Sequence, residues 1–203
     1  MLGSYTINPS KNYPQKIATA IADMKIFGCT YEAVAYLGSQ QVNGTNHAVL
    51  AEQTVTNGED TKNAVILVFN EKADSNDVSL VNVISVAESG GKLGGTQISV
   101  SADVPAEAKE AFENVLAGFV GNKFEIVAFV GTKITKGTDF KFVVTSEAVV
   151  PDAKKRLALF TANTMTGFVV EPLLEGGESY HIVKSAEGLE GYKKLGKPLG
   201  EWP

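Results

Sequence analysis

Residues Tyr31 to Glu52 read YEAVAYLGSQQVNGTNHAVLAE, and 93 residues later Phe124 to Glu147 read FEIVAFVGTKITKGTDFKFVVTSE. Self-similarity at a fixed spacing marks a duplicated folding unit. The copies differ most at one turn. It is Gln40-Gln41-Val42-Asn43-Gly44 in the first and Lys133-Ile134-Thr135-Lys136-Gly137 in the second, so that the glycine stays while the rest changes. A chain of 203 residues fits two domains on the usual scale of about 100 to 200 residues each. The boundaries expected are 1–90 for the first domain, 95–175 for the second, and 176–203 for a glycine-rich C-terminal tail. The stretch Ser89-Gly90-Gly91-Lys92-Leu93-Gly94-Gly95 reads as the connection. It is not a phosphate loop, because no lysine followed by Ser or Thr closes it and opens a helix.

With 44% apolar and 20% charged residues, the composition is that of a globular chain able to bury a core in each half. The net charge is −5 and Arg156 is the only arginine, which argues against nucleic acid, whose phosphates need a concentrated basic face. Lys154-Lys155-Arg156 reads as a solvated hairpin end. No run of about 18 apolar residues is present to span a membrane, and MLGSYTINPSKNYP lacks the basic-then-apolar order of a leader. A cytoplasmic location, or a particle assembled in the cytoplasm, is therefore expected. Cys29 is the single cysteine, so no internal disulfide can form, which fits a reducing compartment.

Each copy reads as one helix followed by strands. Pro14 opens a helical stretch with Ile17, Ile21 and Met24 on one stripe, closed by Gly28. Pro105 suits a first helical position behind Asp103 as N-cap, and Ala108, Phe112, Val115 and Phe119 form the second stripe. Runs rich in Val, Ile, Phe, Tyr and Thr follow at 31–38, 45–56, 63–70 and 78–87, and again at 124–131, 138–150, 156–162 and 168–174. Short turns between them imply antiparallel sheets, and each helix needs a sheet face on which to bury its stripe. The expected class is α+β, with one helix packed on a four- to five-stranded antiparallel sheet in each domain.

The order helix, strand, Gln40-x-Val42-x-Gly44 turn, then the strand Thr45-Asn46-His47-Ala48-Val49-Leu50-Ala51-Glu52 resembles the cystatin family, over residues 1 to about 90 and about 95 to 175. Both copies are also similar to repeated cystatin-like modules of bacterial proteins without an assigned role. The resemblance implies two tandem cystatin-like domains. It also implies a wedge for papain-like cysteine proteases made of an N-terminal segment ending at glycine, the Q-x-V-x-G hairpin, and a second hairpin carrying Pro-Trp. Leu2 and Gly3 could supply the first piece, and Gln40, Gln41, Val42, Asn43 and Gly44 supply the second. The third is missing, because the corresponding turn reads Asn70-Glu71-Lys72-Ala73-Asp74-Ser75-Asn76-Asp77. Lys133 and Lys136 make the second copy a poor inhibitor.

Enzymatic readings find no convergent set of groups. His47 is matched by Phe140 in the second copy, which favours packing over ligation, and His181 stands alone beside Tyr180. No metal-binding spacing and no G-x-S-x-G elbow occurs. Asp74-Ser75-Asn76-Asp77 lacks the closing glutamate of a calcium loop. Cys29 has no nearby histidine to activate it. No catalytic residue, metal or cofactor is expected. Asn43-Gly44-Thr45 matches a glycosylation sequon, relevant only to a secreted chain. The expectation is a non-catalytic protein-binding or assembly protein, as in a bacterial or phage particle, forming homo- or hetero-oligomers. The alternative is a cysteine protease inhibitor. Its partner would be a protein, neither nucleic acid nor membrane. The tail alternates Gly188, Gly191, Gly196 and Gly200 with Tyr192, Leu195 and Trp202. It is too glycine-rich for a helix but carries apolar area suited to closing a sheet edge or docking on a partner, with Trp202 as the candidate anchor.

Overall fold

The computed structural model describes residues 3–56, 60–75, 77–90, 94–175, 178–185 and 188–195. The chain forms two compact units, Met1–Ser89 with Ile98–Ala102, and Gly90–Gln97 with Asp103–Pro203. The described elements run β1 (Thr6–Ser10), α1 (Gln15–Asp23), β2 (Cys29–Val42), β3 (Gly44–Thr56), β4 (Asp60–Glu71), β5 (Val78–Glu88), β6 (Gln97–Ser101), α2 (Ala106–Leu116), β7 (Asn122–Thr135), β8 (Gly137–Ala148), β9 (Arg156–Asn163), β10 (Gly167–Leu173), β11 (Ser179–Ser185) and β12 (Gly188–Leu195). One sheet has the order β1-β2-β3-β4-β5 and the other β12-β11-β10-β9-β8-β7-β6. The strand pairs are antiparallel.

The duplication extends to the irregularities of pairing. The β2–β3 register shifts between Ala33 and Ala35 and between Tyr36 and Gly38. The β7–β8 register shifts between Ile126 and Ala128 and between Phe129 and Gly131, the same places 93 residues on. Each shift leaves one residue unpaired, which bends the strand and increases its twist. The long strands β2 and β7 are thus bent at matching places.

Each helix buries one stripe. Ile17 of α1 is fully buried against Val49, Ala51, Val65, Leu67 and Phe69, with Ala20, Ile21 and Met24 partly buried around it. Ala108, Ala111, Phe112 and Val115 of α2 pack on Phe142, Phe160, Phe168 and Val170. Helical structure begins after Pro14 and after Pro105. Pro105 is thus the cap itself, with no side-chain cap bond, instead of the first helical residue behind an Asp103 cap.

The α+β, cystatin-type expectation is overturned. Among the described residues the chain is mainly β, with twelve strands against helices of only 9 and 11 residues. At 1.5 Å per residue such helices span roughly 14 to 17 Å, whereas 14-residue strands such as β2 and β7 reach about 46 Å. A helix this short covers a fraction of its sheet. The second sheet has seven strands, not four or five, because residues 179–185 and 188–195 of the expected tail form β11 and β12. The central strands are also buried on both faces: Val49, Leu67 and Phe69 face α1, and Ala48, Leu50, Ile66 and Val68 on the alternate positions are buried as well. Strands buried on both faces read as continuous apolar runs, which is why 64–69 reads AVILVF.

Candidate functional site

The β2–β3 turn has Val42 opposite Gly44 with Asn43 at the tip. Gly44 has φ +99°, and a Cβ there would lie 2.2 Å from the Glu71 carbonyl oxygen. The glycine is therefore required by the approach of the end of β4 as well as by the turn. Gly137 repeats this with φ +90° and a Cβ position 2.6 Å from Thr164 Oγ1.

A ladder of amides holds this end of the first unit. Asn70 Nδ2 donates to Asn46 Oδ1 (2.9 Å), Asn46 Nδ2 to Gln40 Oε1 (3.1 Å), and Gln40 Nε2 to the Gly3 carbonyl (2.8 Å). The Gly3 N–H donates to the Gln41 carbonyl at 3.3 Å. The structure therefore brings together Gly3, Gln40 and Gln41. It also gives Gln40 a structural task, because both ends of its amide are engaged. Val42 is half-buried, and Gln41 and Asn43 are exposed. Leu2 and Trp202 lie outside the described residues.

The same position in the second unit is stapled by Asn163, 93 residues after Asn70 and only 9% exposed. Its Nδ2 donates to Asp139 Oδ1 (2.6 Å), Thr135 Oγ1 (3.1 Å) and the Lys136 carbonyl (3.3 Å). Its Oδ1 accepts from the Met165 and Thr166 N–H groups, both at 2.8 Å. The β7–β8 and β9–β10 turns are thereby locked together, with Ile134 77% and Met165 59% exposed. The lysines of this turn argue against it in the sequence. Ile134 is legible within the repeat, whereas Met165 becomes its companion only through the Asn163 staple.

Behind the first hairpin lies a polar cluster. His47, 8% exposed, has Nδ1 3.0 Å from Tyr36 Oη and Nε2 3.4 Å from Glu71 Oε2. Glu71 Oε1 accepts from Lys16 Nζ of α1. A carboxylate only accepts, so the proton belongs on Nε2 and Nδ1 accepts from the phenol. At 3.4 Å the attraction to Glu71 is electrostatic more than hydrogen-bonded, and Nε2 is a buried nitrogen without a hydrogen-bond partner. Burial pushes the imidazole below its ordinary 6.5, against an opposing pull from Glu71. Burial also raises the Tyr36 phenol, partly offset by a bond with Ser39. The Lys16 bond leads in holding Glu71 below the usual carboxylate range. In the second unit the places of Tyr36 and His47 are taken by Phe129 and Phe140, both core residues. The first unit thus builds with a Tyr-His-Glu-Lys chain what the second builds with aromatic rings.

A groove of about 540 Å³ runs beside α1, lined by residues including Lys16, Thr19, Asp23, Phe69 and Leu80. Lys16 is the member of the polar cluster that lines it. Among the described residues no group of three or more His, Cys, Asp or Glu side chains could hold a metal, and no helix is long and apolar enough to cross a membrane. Comparison with protein-family models, with curated proteins and with solved structures finds no match to this chain.

Proposed function

We propose that this chain is a non-catalytic protein-binding or assembly protein that meets its partner through the hairpin ends of its two units. One observation carries the reading: buried Asn163 makes five hydrogen bonds to hold two turns that carry the exposed apolar side chains Ile134 and Met165. A turn already held by hydrogen bonds costs little further backbone ordering when it docks, which favours binding. The Gly3-Gln40-Asn46-Asn70 ladder does the same for Gln41 and Asn43. A photoreactive side chain at Ile134 or at Asn43 should cross-link to a protein partner in its native extract. With the probe at Asn43, Ile134→Asp and Val42→Asp should each abolish the product while circular dichroism stays unchanged. Cross-linking that persists in both variants would place the contact elsewhere.

A second reading, inhibition of papain-like cysteine proteases through Gln40–Gly44, is favoured by the docking of Gly3 on the Gln41 carbonyl. Titration of papain-like enzymes with the intact chain up to high micromolar concentration tests it, and undiminished activity there rejects it.

A further inference from the structure

Among the described residues the two sheets have four edge strands, β1, β5, β6 and β12, and three of them carry features that discourage pairing. β1 and β6 are five residues long, and β1 contains Pro9. β12 has Gly188 and Gly191 and the adjacent lysines Lys193 and Lys194. Short length, proline and lysine are the usual means by which an edge avoids joining another chain. β5 lacks these three: VSLVNVISVAE runs for 11 residues without Pro, Gly or Lys, its one charge is the last residue, Glu88, and the irregularities it carries are the register shifts at Val81 and Val86.

The duplication shows what the corresponding edge accepts. In sheet order β10 stands where β5 stands, and β10 is covered by β11 in antiparallel register, Phe168 opposite Ile182 and Val170 opposite Tyr180. Ile182 of the covering strand joins Phe168 and Val170 in the second core. β5 has no buried residue, and Val81 and Val83 are 55% and 38% exposed.

We infer that β5 is the self-association edge of this protein, pairing antiparallel with β5 of a second copy about a twofold axis. The other three edges discourage an added strand, and a strand uncharged along its length opposes itself without repulsion. Antiparallel pairing also sends the two Glu88 carboxylates to opposite ends of the interface. Register shifts in β4–β5 leave Val81 and Val86 unpaired and Asn82–Ser85 regular between them. Opposing Asn82 with Ser85 and Val83 with Ile84 sets Val81 of each copy against Val86 of the other, so that the irregular residues meet as apolar pairs.

This inference goes beyond the hairpin-end reading and does not depend on it. Sedimentation equilibrium of the intact chain over a concentration series should show reversible monomer and dimer. Amide exchange of residues 79–88 should slow as protein concentration rises. Val81→Lys with Val83→Lys should weaken the dimer about tenfold or more and leave partner cross-linking at Ile134 intact. A chain monomeric at every concentration, a dimer that survives both lysines, or β5 exchange independent of concentration in the unmodified protein would overturn it. The last measurement needs no variant and stands even if the lysine form fails to fold.

Discussion

Asn163 and His47 are two residues at which polar groups are taken out of water, and they are satisfied to different degrees. Asn163 has partners for both ends of its amide. Removing it takes the acceptor from the Met165 and Thr166 N–H groups and ends the bonds to Asp139, Thr135 and Lys136 from a side chain that is itself buried. Asn163→Ala should lose roughly 2–3 kcal/mol in urea unfolding, and Asn163→Asp should be no milder at neutral pH, because it sets a second carboxylate against Asp139 Oδ1 where the amide donated. His47 is left with Nε2 short of a full hydrogen bond. Its imidazole titrates lower in the folded chain than the ordinary 6.5, so the unfolded chain takes up the proton first as pH falls. The stability associated with neutral His47 is therefore complete above about pH 6.5 and declines below it until the folded imidazole also protonates. His47→Phe, which installs the residue found at position 140, should flatten the stability profile across that window. Melting curves from pH 7.5 to 5 test this, and an unchanged slope would contradict the assignment. The glycines at 44 and 137 are readable in the sequence as turn residues. That the Glu71 carbonyl also demands a glycine at 44 is not, since it depends on where β4 ends.

Among the elements, the long strands are the most legible. Dense β-branched and aromatic residues between glycine-containing turns locate β2, β3, β4, β7 and β8 to within a few residues. The short edges β1 and β6 escape such a reading. TINPS contains a proline and QISVS is brief, so a neighbouring strand is what makes each of them a strand. β12 escapes it because its glycines read as a loop until a partner edge supplies hydrogen bonds, and β11, SYHIVKS, is short and stands in the same tail. The cores differ where the repeats correspond. Phe160 lies 4.8 Å from both Phe112 and Phe168 and 5.2 Å from Phe124, while Leu67, its counterpart, is fully buried among aliphatic side chains with Phe69. Phe160→Ala should cost about 3–5 kcal/mol and Leu67→Ala about 2–5. Near-ultraviolet dichroism should show that Phe160→Ala weakens the phenylalanine fine structure, and an unchanged phenylalanine band would contradict a single ring cluster around α2.

At the scale of the molecule, the C-terminal segment is part of a sheet. Ile182 lies in the second core, Tyr180 Oη accepts from Asn122 Nδ2 at 3.1 Å, and β11 covers the edge of β10. Deleting residues 176–203 should therefore destabilise the second unit and promote association through the bared β10. Sedimentation and limited proteolysis of the truncated chain check this, and a truncated chain that stays monomeric and resistant would show that β10 needs no cover. The duplication, its 93-residue period, the paired turn glycines, the helix stripes and the antiparallel order were determined by the sequence alone. These rest on local sterics and hydrophobic periodicity, which neighbouring residues carry. Tertiary structure decided the mainly-β balance, the second sheet's seven strands, the use of Gln40 as a strut for Gly3, and the staple of Asn163 across the two turns that carry Ile134 and Met165. Each depends on which backbone edges and side-chain amides meet across long sequence separations, and a linear pattern of residue types does not record which polar group will satisfy which.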